Sequence, residues 1–316
     1  MNVTAQSKTA KLDRLATIGA EAGGVSLIRD ALRRIARNPV AITGAVIVVL
    51  FVLVAVFAPL LAPHSSTYRF NHPGEPFTGD SVEMISGATD GFPFGADPLQ
   101  RDFFSRMIYG SRQTLFVGVV ATLLGFGVGV LLGTLAGALG GWIDTVLMRL
   151  TDVMLAMPGL LLAITLVALV RQPSQWTVIV AVAVVAVPIF ARLLRGSMLA
   201  QRESDHVLAA RALGVRPRSI VLRHILPNSM APVIVQGTLT FAVAILDAAA
   251  LSFLGLGDPD INRAEWGLML GVDGVRYFEV RPELAYYPAL AIIVVALGFT
   301  LLGEAMREAL DPKSRR

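Results

Sequence analysis

The sequence predicts an all-α membrane protein with six transmembrane helices and both termini in the cytoplasm. Three observations predict it. The chain is 54% hydrophobic and 16% charged, with a mean hydropathy of +0.66, whereas about a quarter of the residues in a soluble domain are charged. Six windows lack Asp, Glu, Lys and Arg: 38–68, 113–143, 153–170, 172–191, 224–246 and 284–303. Each suits the roughly 17–25 apolar residues that a helix needs to cross a bilayer core. Finally, the arginines collect in alternate connections between these windows.

The first span is expected over 39–62. Its apolar run is longer than a signal-peptide core of about 7–15 residues and begins after 38 residues, so an uncleaved span is the better reading. Arg29, Arg33, Arg34 and Arg37 precede it; Arg192, Arg195, Arg202, Arg211, Arg216, Arg218 and Arg223 follow the fourth window; Arg315 and Arg316 follow the sixth. With six spans these places share one side, which the positive-inside rule makes cytoplasmic. Arg101, Arg106 and Arg112 oppose the rule. They are expected on an amphipathic helix at the outer interface, because Phe103, Met107 and Ile108 share one helical side. The third helix is expected to begin near Thr145, with Arg149 and Asp152 at its membrane edge.

The resulting division is a cytoplasmic segment 1–38, a first span 39–62, and an external lobe with interfacial helix 63–112. A core of five spans follows over 113–310, and 311–316 is a cytoplasmic tail. The core contains a cytoplasmic loop 196–227 and an external loop 254–285. Within the external loop, Ala264 to Leu270 is apolar but too short to cross, which predicts a re-entrant or interfacial helix. The first 30 residues are expected to be flexible.

Several chemistries are absent from the pattern. No cysteine is present, and His64, His72, His206 and His224 have no i, i+4 histidine partner, so no metal site is expected. No lysine lies between 12 and 312, which excludes a Walker A loop and its Gly-Lys pair. The arginines sit between apolar spans and form no single face, so nucleic-acid binding is not expected. No nucleophile elbow occurs, and the glycine pattern at 125–129 lacks the third glycine of a dinucleotide turn.

Ala121, Gly125, Gly129, Gly133 and Gly137 recur every four residues, leaving a small-residue stripe for close helix packing or for a moving contact. Pro158 and Pro188 are positioned to kink the third and fourth spans. Asp247 is the pointed intramembrane charge, since a mid-helix Asp costs about 2.5–3.5 kcal/mol to insert. It either lines a solute path, together with Ser252, or bonds the broken helix near Ser252–Gly255.

The basic connection predicts a short helix between Asp205 and Gly214. Ser204 or Asp205 caps its start, and Gly214 supplies the left-handed residue that ends it. Ala209, Ala210 and Ala212 keep it slim, while Val207, Leu208 and Leu213 offer apolar contact; Arg216-Pro217 opens a second helical piece running to Pro227. Such a helix fits a groove on a partner or lies at the interface anchored by arginines.

Ala209-Ala210, Gly214 and Leu226-Pro227 resemble the spacing of the EAA loop in ATP-binding cassette importer permeases, with Leu208 at the usual glutamate position and His224 at the usual isoleucine. Arg37-Asn-Pro, Phe57 to Pro63, Gly95-Ala-Asp-Pro, Gly110-Ser-Arg112, Ala249 to Gly257, Glu265 to Leu270 and Ala309 to Pro312 are similar, in order, to the C-type permease of dipeptide, oligopeptide and nickel importers. The resemblance implies a type I importer permease fold in a bacterial inner membrane. It implies a heterodimer with a paralogous second permease in membrane lipid, and two cytoplasmic ATP-binding subunits carrying ATP and magnesium. An external solute-binding protein would deliver short peptides, with nickel or another small solute as the alternative. On this reading the chain itself is no enzyme and holds no cofactor. Asp205, Val207, Leu208, Ala209, Ala210, Arg211, Gly214, Leu226 and Pro227 would couple to the ATPases, and Glu265 and Trp266 would meet the external protein. A secondary transporter, the rival class, would show paired broken spans and several coupling carboxylates.

Overall fold

The computed structural model describes residues 35–68, 87–88 and 92–310. Arg29, Arg33, Arg34, Arg315 and Arg316, most of the segment 1–38, part of the lobe 63–112 and the tail 311–316 lie outside them. Five helices among the described residues are long and apolar enough to cross a membrane, and a sixth crossing is available from a bent pair.

Helix α1, Pro39–Val56, starts on Asn38, whose Oδ1 accepts hydrogen bonds from the amides of Val40 (2.9 Å) and Ala41 (3.4 Å). Proline at the first helical position needs no such partner. A short α2, Ala58–Leu61, follows. Val46, Val49, Leu50 and Val56 stay exposed on α1, as suits a helix facing lipid.

Helix α3 runs unbroken over Phe103–Leu139. The expected interfacial helix at 101–112 is therefore the first part of the second span, not a separate element. Of the three arginines expected there, Arg112 is exposed and the other two are not. Arg101 and Arg106 are buried against Asp97, so a local carboxylate offsets part of the charge that the positive-inside rule disfavours on the outer side. The small-residue stripe of α3 packs on α6, Gln175–Arg202. A Cβ on Gly129 would stand 2.5 Å from Phe190 Cβ, and one on Gly133 would stand 2.6 Å from the Ala191 carbonyl oxygen. Close backbone approach is the use of these glycines.

The third span is not one helix. Helices α4, Gly141–Leu155, and α5, Gly159–Ala168, meet at 93° across Ala156–Pro158. The element begins at Gly141, four residues before the expected start, and Pro158 caps α5 instead of kinking a continuous rod. Pro188, by contrast, sits inside α6 without interrupting it.

Three short helical pieces complete the connections. Helix α7 is Asp205–Ala212. Helix α8, Pro217–Ile220, passes through a π-turn, Val221–Ile225, directly into α9, Leu226–Phe253. The helical piece expected to stop at Pro227 therefore continues through the π-turn into α9. Helix α10, Trp266–Met269, and a second π-turn, Leu270–Gly274, form the re-entrant element, and α11 spans Glu283–Leu310. Gly267 and Gly271 lie where a Cβ would meet the carbonyls of Ala249 and Phe253 at 2.5 Å, seating this turn on the end of α9.

Candidate functional site: a seated helix at one end and a groove between α6 and α9

Helix α7 is held by one face. Val207 (0% exposed) and Ala210 (7%) are three residues apart, hence on one side of the helix, and they pack with Phe190, Leu194 and Met198 of α6, Ile225 of the π-turn and Val233 of α9. The other face is open: Leu208 is 49% exposed and Leu213 83%, with Asp205, Ala209 and Arg211 also exposed. Of the three apolar residues expected to offer contact, Val207 belongs to the seat, leaving Leu208 and Leu213 free.

The end of α7 is a Schellman motif. Gly214 takes φ +74°, its amide donates to the Arg211 carbonyl (3.0 Å), and the Val215 amide donates to the Ala210 carbonyl (3.1 Å). Val215 then joins the same apolar cluster as Ala210. At the start, Ser204 makes no capping bond, since its hydroxyl donates to the Gln201 carbonyl (2.6 Å). Leu226 is half-buried beneath this assembly and Pro227 is exposed. Nearby, Arg195 pairs two-pronged with Asp144 (2.5 and 2.6 Å), and Arg202 donates to the Ala138 carbonyl (2.7 Å), tying the end of α6 to α3 and α4.

Asp247 lines a narrow cavity of about 100 Å³ between α6 and α9, whose walls include Val182, Ala186, Ile189, Gln236 and Thr240. Ser252 does not join it. Five residues on, it lies about 140° around the helix from Asp247, and it is buried against the carboxyl of Glu265. Of the two roles open to Asp247, the geometry favours the groove. Ser252 is the residue that bonds the neighbouring turn.

Glu265 and Trp266 are both buried, so neither side chain is presented to an external protein in this conformation. Burial pushes the Glu265 carboxyl up to about 7, against the pull of the Ser252 hydroxyl, the Gly267 amide and the Arg263 charge. Trp266 fills the space left by Gly110, donates its indole N–H to the Met107 carbonyl (2.9 Å), and meets Phe51 edge-on at 5.7 Å. These residues fasten the re-entrant turn to α1 and α3.

Sequence reasoning did not bring together the cluster at the end opposite α7. Asp97 accepts from Arg101 Nε (2.6 Å) and stands 3.2 Å from Arg106 Nε. Arg101 reaches the Ile261 carbonyl (2.7 Å), while Arg106 reaches those of Ser66, Asn262 and Arg263 (3.2–3.3 Å). Burial, and the nearby Asp97 charge, push the Asp273 carboxyl up to about 7. The readable signal was the set of arginines that broke the orientation rule.

Residues 129–316 match the family described as "Binding-protein-dependent transport system inner membrane component", and 26–73 match the "N-terminal TM domain of oligopeptide transport permease C". The chain belongs to the binding-protein-dependent permeases. The permease is 43% identical over 291 residues to the dipeptide transport system permease protein DppC of Alkalihalophilus pseudofirmus, covering 92% of this chain and 91% of the relative. It is 38% identical over 286 residues to the glutathione transport system permease protein GsiD of Pectobacterium atrosepticum (90% and 91% covered). Among solved structures, the inward-facing MetNI methionine ABC transporter aligns with a TM-score of 0.53 at 18% identity, over 65% of the permease and 96% of that chain. That match shows the type I importer permease fold, and the family places the permease in a bacterial inner membrane as a multi-pass component.

Proposed function

We propose that this permease is one of two non-identical membrane subunits of an ATP-driven importer of short peptides. An external binding protein supplies the solute, and two cytoplasmic ATPases, which carry ATP and magnesium, drive the cycle by gripping α7. The observation that carries this reading is the two-faced seating of α7: Val207 and Ala210 fix it to α6 and α9, while Leu208, Ala209, Arg211 and Leu213 stay free for a partner groove. The residue pattern of the chain supports an external energy source, since no lysine between 12 and 312 is available for a phosphate loop. The dipeptide and glutathione permeases it resembles support a peptide as cargo.

In this mechanism ATP-driven closure of the ATPases pulls α7. Because α7 rests on the ends of α6 and α9, the groove carrying Asp247 changes shape with it; hydrolysis returns the bundle to its inward state. The permease positions and releases solute and makes no covalent bond.

Uptake into vesicles reconstituted with all subunits tests the proposal. Leu208→Arg and Gly214→Trp are expected to insert at wild-type levels and to abolish ATP-dependent peptide uptake. A normal uptake rate in both variants overturns it.

A further inference from the structure

A second cavity, of about 420 Å³, opens at the end opposite α7. That volume falls within the roughly 300–1,000 Å³ of small-molecule sites. Its lining brings together Tyr109, Arg112 and Gln113 of α3, Gln175 of α6, and Asn262 and Arg263 of the loop before α10. We propose that this cavity is an entry subsite in which the Arg112 guanidinium binds the carboxylate of the incoming solute. The inference rests on the peptide-importer reading.

Charge is the first argument. Arg263 is already engaged: it pairs with Asp258 (3.1 Å) and donates to the Gln175 side-chain oxygen. Among the described residues no carboxylate pairs with Arg112, which is exposed at the cavity wall. Among the described residues the pocket therefore carries one uncompensated positive charge, and a planar guanidinium matches a carboxylate two-pronged. Arg263 Nε is buried without a hydrogen-bond partner, so a further donor in this wall is unspent.

Preorganisation is the second argument. Gln175 accepts from Arg263 and donates to Gln113 Oε1 (3.0 Å), so the chain Arg263–Gln175–Gln113 is fixed before any solute arrives. Continuity is the third. Gln175, Val182, Ala186 and Ile189 are spaced 7, 4 and 3 residues apart and share one face of α6. The last three wall the groove that Asp247 lines, about 15 Å further along the axis. A solute leaving the Arg112 cavity along this face reaches the groove. A cationic mouth above an acidic groove suits a zwitterion handed from one end to the other.

The test uses the assembled permease pair with its ATPases, without added external protein, and two photoreactive probes: photoleucyl-alanine with a free C-terminal carboxylate, and its C-terminal amide. Mass spectrometry reads labelling at Tyr109 and Phe116. The acid probe is expected to label the wild type, with a half-saturating concentration raised about tenfold in Arg112→Gln, the ratio expected for one lost charged hydrogen bond. Arg112→Lys should recover most of the labelling, and the amide should label weakly and equally in all three. Equal labelling of wild type and Arg112→Gln by the acid probe, or amide labelling as strong as acid labelling, overturns the proposal. So does a loss of external-protein affinity in Arg112→Gln with probe labelling unchanged, since the pocket would then receive a side chain of that protein. ATP-driven peptide uptake by the wild type, with external protein restored, separates the two readings. No uptake overturns the importer; uptake combined with Arg112-indifferent labelling overturns the subsite alone.

Discussion

At the end carrying Asp97, two guanidinium groups share one buried carboxylate and reach four backbone carbonyls of neighbouring segments. At the end carrying α7, eight helical residues rest on the bundle through Val207 and Ala210 and leave the rest of their surface open. The first contact is polar, dry and many-sided; the second is apolar, small and one-sided. A buried ion pair loses heavily when one partner is removed, whereas a shallow apolar seat loses only in proportion to the area uncovered. One end is built to hold its own geometry. The other is built to be held from outside.

The largest effect that would break this contrast is at Asp97. Asp97→Asn leaves two buried guanidinium groups without their carboxylate and should cost about 3–5 kcal/mol, read as a sharp fall in the thermal midpoint of the purified subunit pair. A shift of under a degree would mean that the end is not locked by charge.

Glu265 sharpens the same contrast through pH. Its carboxyl sits at about 7 in the folded protein against an ordinary 4.5. Between those values the folded state keeps a proton that the unfolded chain has released, so stability falls as pH rises through that window and levels off above it. Glu265→Gln should remove that part of the slope and raise stability at pH 8 by on the order of 3 kcal/mol. Burial raises the Asp273 carboxyl as well, so it adds slope of the same sign. Melting at pH 5, 6, 7 and 8 measures it.

At the α7 end the effects are smaller and split. Val207→Ala should cost about 1–2 kcal/mol through lost burial and loosen protection of the α7 amides in hydrogen exchange. Leu213→Ala, on the open face, should leave the melting midpoint within about 0.5 kcal/mol of wild type while lowering the ATPase rate stimulated by solute. Equal stability losses at Val207 and Leu213 would erase the distinction between seat and free face.

The long apolar windows, the glycine stripe and the short helix ending at Gly214 were legible from composition and spacing alone, and Pro158 marked a kink, though not a division of the span into two helices. Those features depend on local rules: span length, small-residue periodicity, a missing amide, a left-handed residue. Three others depend on partners far along the chain and were not legible. Arg101 and Arg106 looked like surface charges because the carbonyls of 261–263 that receive them lie over 150 residues away. Ser252 looked like a pathway residue until Glu265 was found against it. Val207 and Leu208 are neighbours of the same character, and only the packing of Phe190 and Leu194 decides which one is covered.

The elbow between α4 and α5 has a metric consequence. Fifteen and ten helical residues lay out about 22 and 15 Å of axis. Joined near a right angle, their far ends stand about 27 Å apart, just under the roughly 30 Å of a hydrocarbon core. Laid straight, the same residues would reach about 37 Å. This crossing is a chevron with no slack, and opening its angle moves a tip by several ångströms while every helix in it stays rigid.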